Sequence, residues 1–120
     1  MWIYRRLDGA LMDAAGERIA TGYSGQGDGL NNPADDAVVG EGPIPSGLYT
    51  FGTPHLSPNV GPYAMALTPN AGTDTHRRSA FLIHGDNTAM NHTASHGCII
   101  LKRPARMSMW QSDDHTLKVI

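Results

Sequence analysis

Cysteine is almost absent from this chain: among 120 residues there is one, Cys98. A single thiol excludes an internal disulfide and every zinc site that needs two or more cysteines. Cysteine usage therefore gives no redox compartment. Long apolar runs are missing too. No segment approaches bilayer length, so no membrane insertion is expected. The opening Met1-Trp2-Ile3-Tyr4-Arg5-Arg6 has neither an apolar core region nor a small-residue cleavage site. The expectation is a chain that stays in the cytoplasm or leaves without a cleaved signal. Basic runs are short. Net charge is -2 and the longest basic cluster is His76-Arg77-Arg78, which argues against a nucleic-acid partner. No internal repeat or low-complexity tract is present.

Glycine and proline, by contrast, are plentiful, with fourteen and eight residues. They suit a β-rich fold with many turns better than a helical bundle. At this length one domain is expected, spanning 1–120 and stable without a disulfide or structural metal. Trp2–Arg6, Ala10–Asp13 and Glu17–Tyr23 read as a three-stranded meander, with Asp8-Gly9 as a tight turn. Residues 24–47 read as a long loop, functional or mobile. Leu48–Phe51, Tyr63–Leu67 and Ser79–His84 read as further strands, the last the most apolar and central. Ile99–Leu101 continues directly from Cys98. Pro104–Gln111 is the one helix, with Met107, Trp110 and Gln111 as its apolar stripe. Thr116–Ile120 closes the chain as a strand. The expected fold is mainly β, a sandwich or barrel with one short helix near the C-terminus.

The chemistry gathers around Ser95-His96-Gly97-Cys98-Ile99. Free cysteine is often a small buried hydrophobe. Here its polar and glycine neighbours place the thiol at a strand start facing a cleft, where an imidazolium lowers its pKa. His84 ends an apolar strand and can meet the sulfur from a neighbouring strand, as general base. His96 competes for that role, but residues two apart on a strand reach each other poorly. Shaping the pocket or donating a hydrogen bond suits it better. A histidine base needs a partner that fixes its tautomer. Asp86 and a backbone carbonyl are equally placed for this. His84, Asp86, His92, His96 and Cys98 also contain the ligand types of a mixed zinc site, although their spacing matches no zinc pattern. Arg77 and Arg78 read as a solvated turn or a carboxylate clamp, with Lys102 and Arg103 candidates for the same task. A non-catalytic binding module with an inert cysteine is the alternative from another class.

His84-Gly85 followed by Ser95-His96-Gly97-Cys98-Ile99 resembles the signature of L,D-transpeptidases of the YkuD type. The wider chain is similar to the Tlde1 family of type VI secretion effectors. That likeness rests on Trp2-x-Tyr4, Gly22-Tyr23-Ser24-Gly25, Gly42-Pro43-Ile44-Pro45-Ser46-Gly47-x-Tyr49 and Phe81-x-Ile83-His84-Gly85-Asp86. The resemblance implies a β-rich fold, peptidoglycan stem peptides as substrate and a thioester route that uses no cofactor. By position, Cys98 is the nucleophile and His84 the base, oriented by the Gly85 carbonyl. The Gly97 and Cys98 amides, with His96, form the oxyanion hole, and Ser95 supports the loop. Arg78, Asp86, Lys102 and Arg103 fall to substrate binding. Ile100 stands where many transpeptidases carry Arg or Asn. The implied setting is the periplasm of a target bacterium, with an immunity protein as a possible partner.

Overall fold

In the computed structural model, which describes residues 1–120, the strands form one sheet that closes on itself. They are β1 (Trp2–Arg5), β2 (Ala10–Met12), β3 (Arg18–Thr21), β4 (Tyr23–Ser24) and β5 (Gly47–Phe51). There follow β6 (His55–Ser57), β7 (Gly61–Pro69), β8 (Leu82–His84), β9 (Ile99–Ile100) and β10 (Thr116–Val119), with helix α1 (Arg103–Gln111) before β10. The strand order is β3-β2-β1-β10-β5-β7-β8-β9-β4, with β6 on the side of β7. The two ends of this path, β3 and β4, are consecutive in the chain with only Gly22 between them. The result is a small closed barrel.

Closure forces three backbones together. Gly22 N–H donates to Gly9 O at 2.8 Å. A Cβ at Gly22 would lie 1.9 Å from Ile100 O, so only glycine fits at the seam. Inside, Tyr4, Leu11, Ile44, Tyr49, Phe51, Met65, Ile83, Ile99 and Leu117 are nearly or fully buried in one core.

The meander, the helix and the last strand stand where the pattern puts them. Differences fall at particular residues. The expected strand 17–23 changes partner at Gly22, pairing with β2 before it and β9 after it. The expected strand 79–84 begins only at Leu82, because Ala80 is at φ +63° and breaks the extended run. β8 does have neighbours on both sides, antiparallel β7 and parallel β9. β6 was not legible. On α1 the buried residues are Ala105, Arg106 and Met109, whereas Met107 is exposed, which corrects the predicted stripe. The 24–47 loop is organised by two 3-10 turns, Gly27–Gly29 and Pro33–Asp35, and sends Ile44 into the core.

The seam yields a prediction. Gly22→Ala pushes a methyl group into the Ile100 carbonyl and lowers stability by about 1–3 kcal/mol or more. Gly52→Ala, where the nearest atom stands at 3.9 Å, leaves the urea midpoint close to wild type. Equal midpoints for the two variants would mean that the seam is looser than described.

Candidate active site

β8 and β9 run parallel, with Ile83 opposite Ile99 and His84 opposite Ile100. Cys98 immediately precedes β9, so thiol and imidazole belong to adjoining strands, offset by two residues, or about 7 Å along the strand direction. The sulfur lies between the strands. It accepts a hydrogen bond from Leu82 N–H at 3.3 Å and stands 3.9 Å from Ala80 O. No hydrogen bond joins it to His84.

His84 is buried, and its Nδ1 is 2.7 Å from Gly85 O. A carbonyl can only accept, so Nδ1 carries the proton and Nε2 is left with its lone pair. Burial lowers the imidazole pKa, the Gly85 carbonyl pulls it up, the Arg106 charge lowers it and Asp86 raises it. Burial pushes the Cys98 thiol up, against smaller opposing effects of Leu82 N–H and the Arg78 charge. The expected thiol lowered by an imidazolium is therefore not what the structure holds. Both groups rest neutral.

The cysteine loop hangs on two serines. Ser95 Oγ accepts from Gly25 N–H at 2.9 Å and Gly97 N–H at 3.1 Å, and donates to Cys98 O at 2.5 Å. Ser24 Oγ donates to Gly97 O and accepts from Ile44 N–H. The Gly97 amide is thus occupied and does not serve an oxyanion hole as expected, whereas Cys98 N–H has no partner. Gly97 sits at φ +131°, and a Cβ there would lie 2.3 Å from Arg78 Nη2. His96 is exposed, its Nδ1 3.0 Å from Gln26 Nε2 and 3.1 Å from Gly40 O. It lines a 300 Å³ cavity with Val39, Gly40, Arg77, Ser79 and Phe81.

Arg78 corrects a second expectation. It is buried, and Nη1 and Nη2 donate to Asp36 O, Pro43 O, Gly42 O and His96 O at 2.7–3.0 Å. These contacts tie the 36–43 segment to the cysteine loop and leave no terminal donor for a substrate carboxylate. Arg77 beside it has no ion pair or side-chain hydrogen bond. Lys102 is likewise unpaired and lines a 230 Å³ cavity with Tyr23, Asp86, Met90, His92 and Ile100. Arg103 stacks over the Tyr63 ring at 5.5 Å.

Asp86 does not orient His84. It accepts from Tyr23 OH at 2.7 Å and Asn87 N–H at 2.9 Å. The Tyr23 hydroxyl in turn accepts from Ala94 N–H, so one phenol holds both ends of the 86–94 loop. Burial raises that phenol to about 12. From the sequence, Tyr23 is placed only at the end of the strand 17–23. Its role was signalled by nothing except the Gly22-Tyr23-Ser24-Gly25 motif. His84, Asp86, His92, His96 and Cys98 do not converge: no three His, Cys, Asp or Glu residues are grouped to hold a metal.

Fold and site together define a small closed β-barrel with a thiol and a neutral imidazole on adjoining strands at its seam. The Tlde1 domain model matches residues 18–120, and the chain belongs to that family, a family of type VI secretion effectors. No curated protein matches the chain.

Two predictions follow from this geometry. Alkylation of Cys98 by iodoacetamide climbs with pH beyond about pH 8.5 without a plateau, because the thiol is raised. A plateau near neutrality would reveal a preformed thiolate. Arg78→Lys keeps the charge but loses the planar fork. It costs about 2–3 kcal/mol in thermal unfolding, and an unchanged melting curve would count against the clamp.

Proposed function

We propose that this protein is a cysteine acyltransferase acting on peptidoglycan tetrapeptide stems, related to the L,D-transpeptidases. The observation that carries the reading is the state of His84: neutral, its Nδ1–H held by Gly85 O, its Nε2 left as an acceptor on the strand beside Cys98. The likeness of His84-Gly85 and Ser95–Ile99 to the transpeptidase signature supports the substrate class. Family membership supports an antibacterial effector acting in a target cell's periplasm, with an immunity protein guarding the producer.

In this mechanism Cys98 Sγ attacks the carbonyl carbon of the bond to the terminal D-Ala. The thiol proton passes to His84 Nε2, and Cys98 N–H meets the oxyanion. The C–N bond breaks, His84 returns the proton to the leaving amine, and a thioester remains. An amine or water then attacks the thioester carbonyl and gives a proton to His84. The sulfur departs as thiolate and recovers that proton. A D-amino acid gives exchange, a second stem gives a cross-link, and water gives carboxypeptidation. Arg77 and Lys102, the unpaired cations of the two cavities, receive the stem's carboxylates.

The raised thiol also suits the second reading, a wall-binding module with an inert cysteine. Product masses separate the two. Purified protein incubated with muropeptides, with and without a D-amino acid, should release or exchange the terminal D-Ala. Cys98→Ala should abolish turnover, and His84→Ala should slow it roughly 10²–10⁴-fold. Turnover retained by Cys98→Ala sinks the mechanism. Unchanged muropeptides with saturable binding to sacculi favour the module.

A further inference from the structure

Arg106 is a cation inside the protein with no acid beside it. It lies one turn into α1 and is 5% exposed. Nη1 donates to Pro62 O and Tyr63 O, each at 2.9 Å. Nε is buried without a partner. Nη2 reaches toward Gly85: a Cβ built there would lie 2.9 Å from it. Arg106 belongs to none of the protein's ion pairs. An unpaired charge is costly to bury, and a neutral amide could also donate to Pro62 O or Tyr63 O. The charge itself calls for an explanation, and the group it stands against supplies one. Gly85 O is the acceptor that fixes the tautomer of His84.

We infer that Arg106 is a positioning residue for His84: its unneutralised guanidinium stands behind Gly85 and holds the imidazole in the neutral, Nδ1-protonated form, ready to accept a proton at Nε2. The inference rests on the reading of His84 as the general base. A second positive charge on the imidazole would face the first across a poorly solvated gap, and a guanidinium keeps its proton at any physiological pH. The other groups around His84 do not cancel this. Asp86, two residues on, favours the charged ring, but less strongly than Arg106 opposes it, and its carboxylate accepts from Tyr23 OH of β4. That phenol stays neutral. Cys98, at the start of β9, is a neutral thiol, and Ile100 opposite His84 is apolar.

The test is the NMR titration of the His84 imidazole, assigned by comparison with His84→Gln. Wild type should titrate below the ordinary midpoint of about pH 6.5. Arg106→Gln keeps an amide donor for Pro62 and Tyr63 but removes the charge, and its midpoint should rise by about one pH unit. Arg106→Lys should stay near wild type. The acid limb of kcat/KM for muropeptides should move upward in parallel with the Gln variant. A folded Arg106→Gln protein with an unmoved midpoint overturns the inference. So does a wild-type midpoint at or above 6.5, which needs no variant to fold. A shifted midpoint in a wild type that turns over no muropeptide would fail the acyl-transfer reading alone. An unmoved midpoint in an active enzyme would fail this inference alone.

Discussion

The architecture of the site depends on the guanidinium of Arg78. Two terminal nitrogens meet four backbone carbonyls, three from the 36–43 segment and one from His96. Hydrogen bonds from a charged donor are worth about 1.5–3 kcal/mol each before desolvation is counted. The same segment is gripped a second time through Asp36, whose carboxylate pairs with Arg6 at 2.9 Å and His76 at 3.2 Å. Backbone from two distant stretches is thereby brought against the loop that carries Cys98. The approach is so close that Gly97 has no room for a side chain. A loop of glycines and prolines, which has little regular pairing of its own, is held in place by these contacts.

Burial then sets the charge state. Desolvation acts in opposite directions on an acid and a base: it raises the thiol and lowers the imidazole. Each shift favours the uncharged form. A resting thiolate–imidazolium pair would have to form against both. Two features soften the cost at the sulfur. Leu82 N–H and the Arg78 charge both stabilise negative charge there. Arg78 thus acts on the site twice, as a mechanical tie and as a nearby positive charge.

Much of the fold was legible because its signals are local. Trp2–Arg5 and Thr116–Val119 are rich in β-branched and aromatic residues, Asp8-Gly9 makes a turn, and Pro104 opens a helix. Cys98 and His84 stood out through their neighbours, and the structure sets them at adjoining strands without a hydrogen bond between them. The failures have two causes, side chains that bond to distant backbone and one local break in backbone conformation. Arg78 was assigned to substrate because its true acceptors are carbonyls 18 to 42 residues away. Arg106 was overlooked because nothing near it in the chain marks it as buried. The strand at 79–84 was drawn too long because apolarity hides the positive φ of Ala80. A side chain that bonds to distant backbone leaves no periodic trace, and in this protein such bonds hold the site together.

The position of the site in the barrel follows from the same accounting of backbone partners. β9 pairs with β8 on one side and β4 on the other, yet it is only two residues long. It begins where the cysteine loop ends. One step before it, Leu82 N–H is met by the Cys98 sulfur instead of a carbonyl from a longer strand. The Cys98 thiol therefore occupies a place in the ladder that regular pairing would have filled. A thiol is a weak acceptor and gives up that hydrogen bond more readily than a carbonyl would. The Leu82 N–H is still satisfied, and the ladder resumes beyond, where Leu101 N–H donates to His84 O at 3.0 Å. The start of β9 is thus the point in this part of the sheet where a side-chain sulfur, and not a carbonyl, completes the backbone pairing.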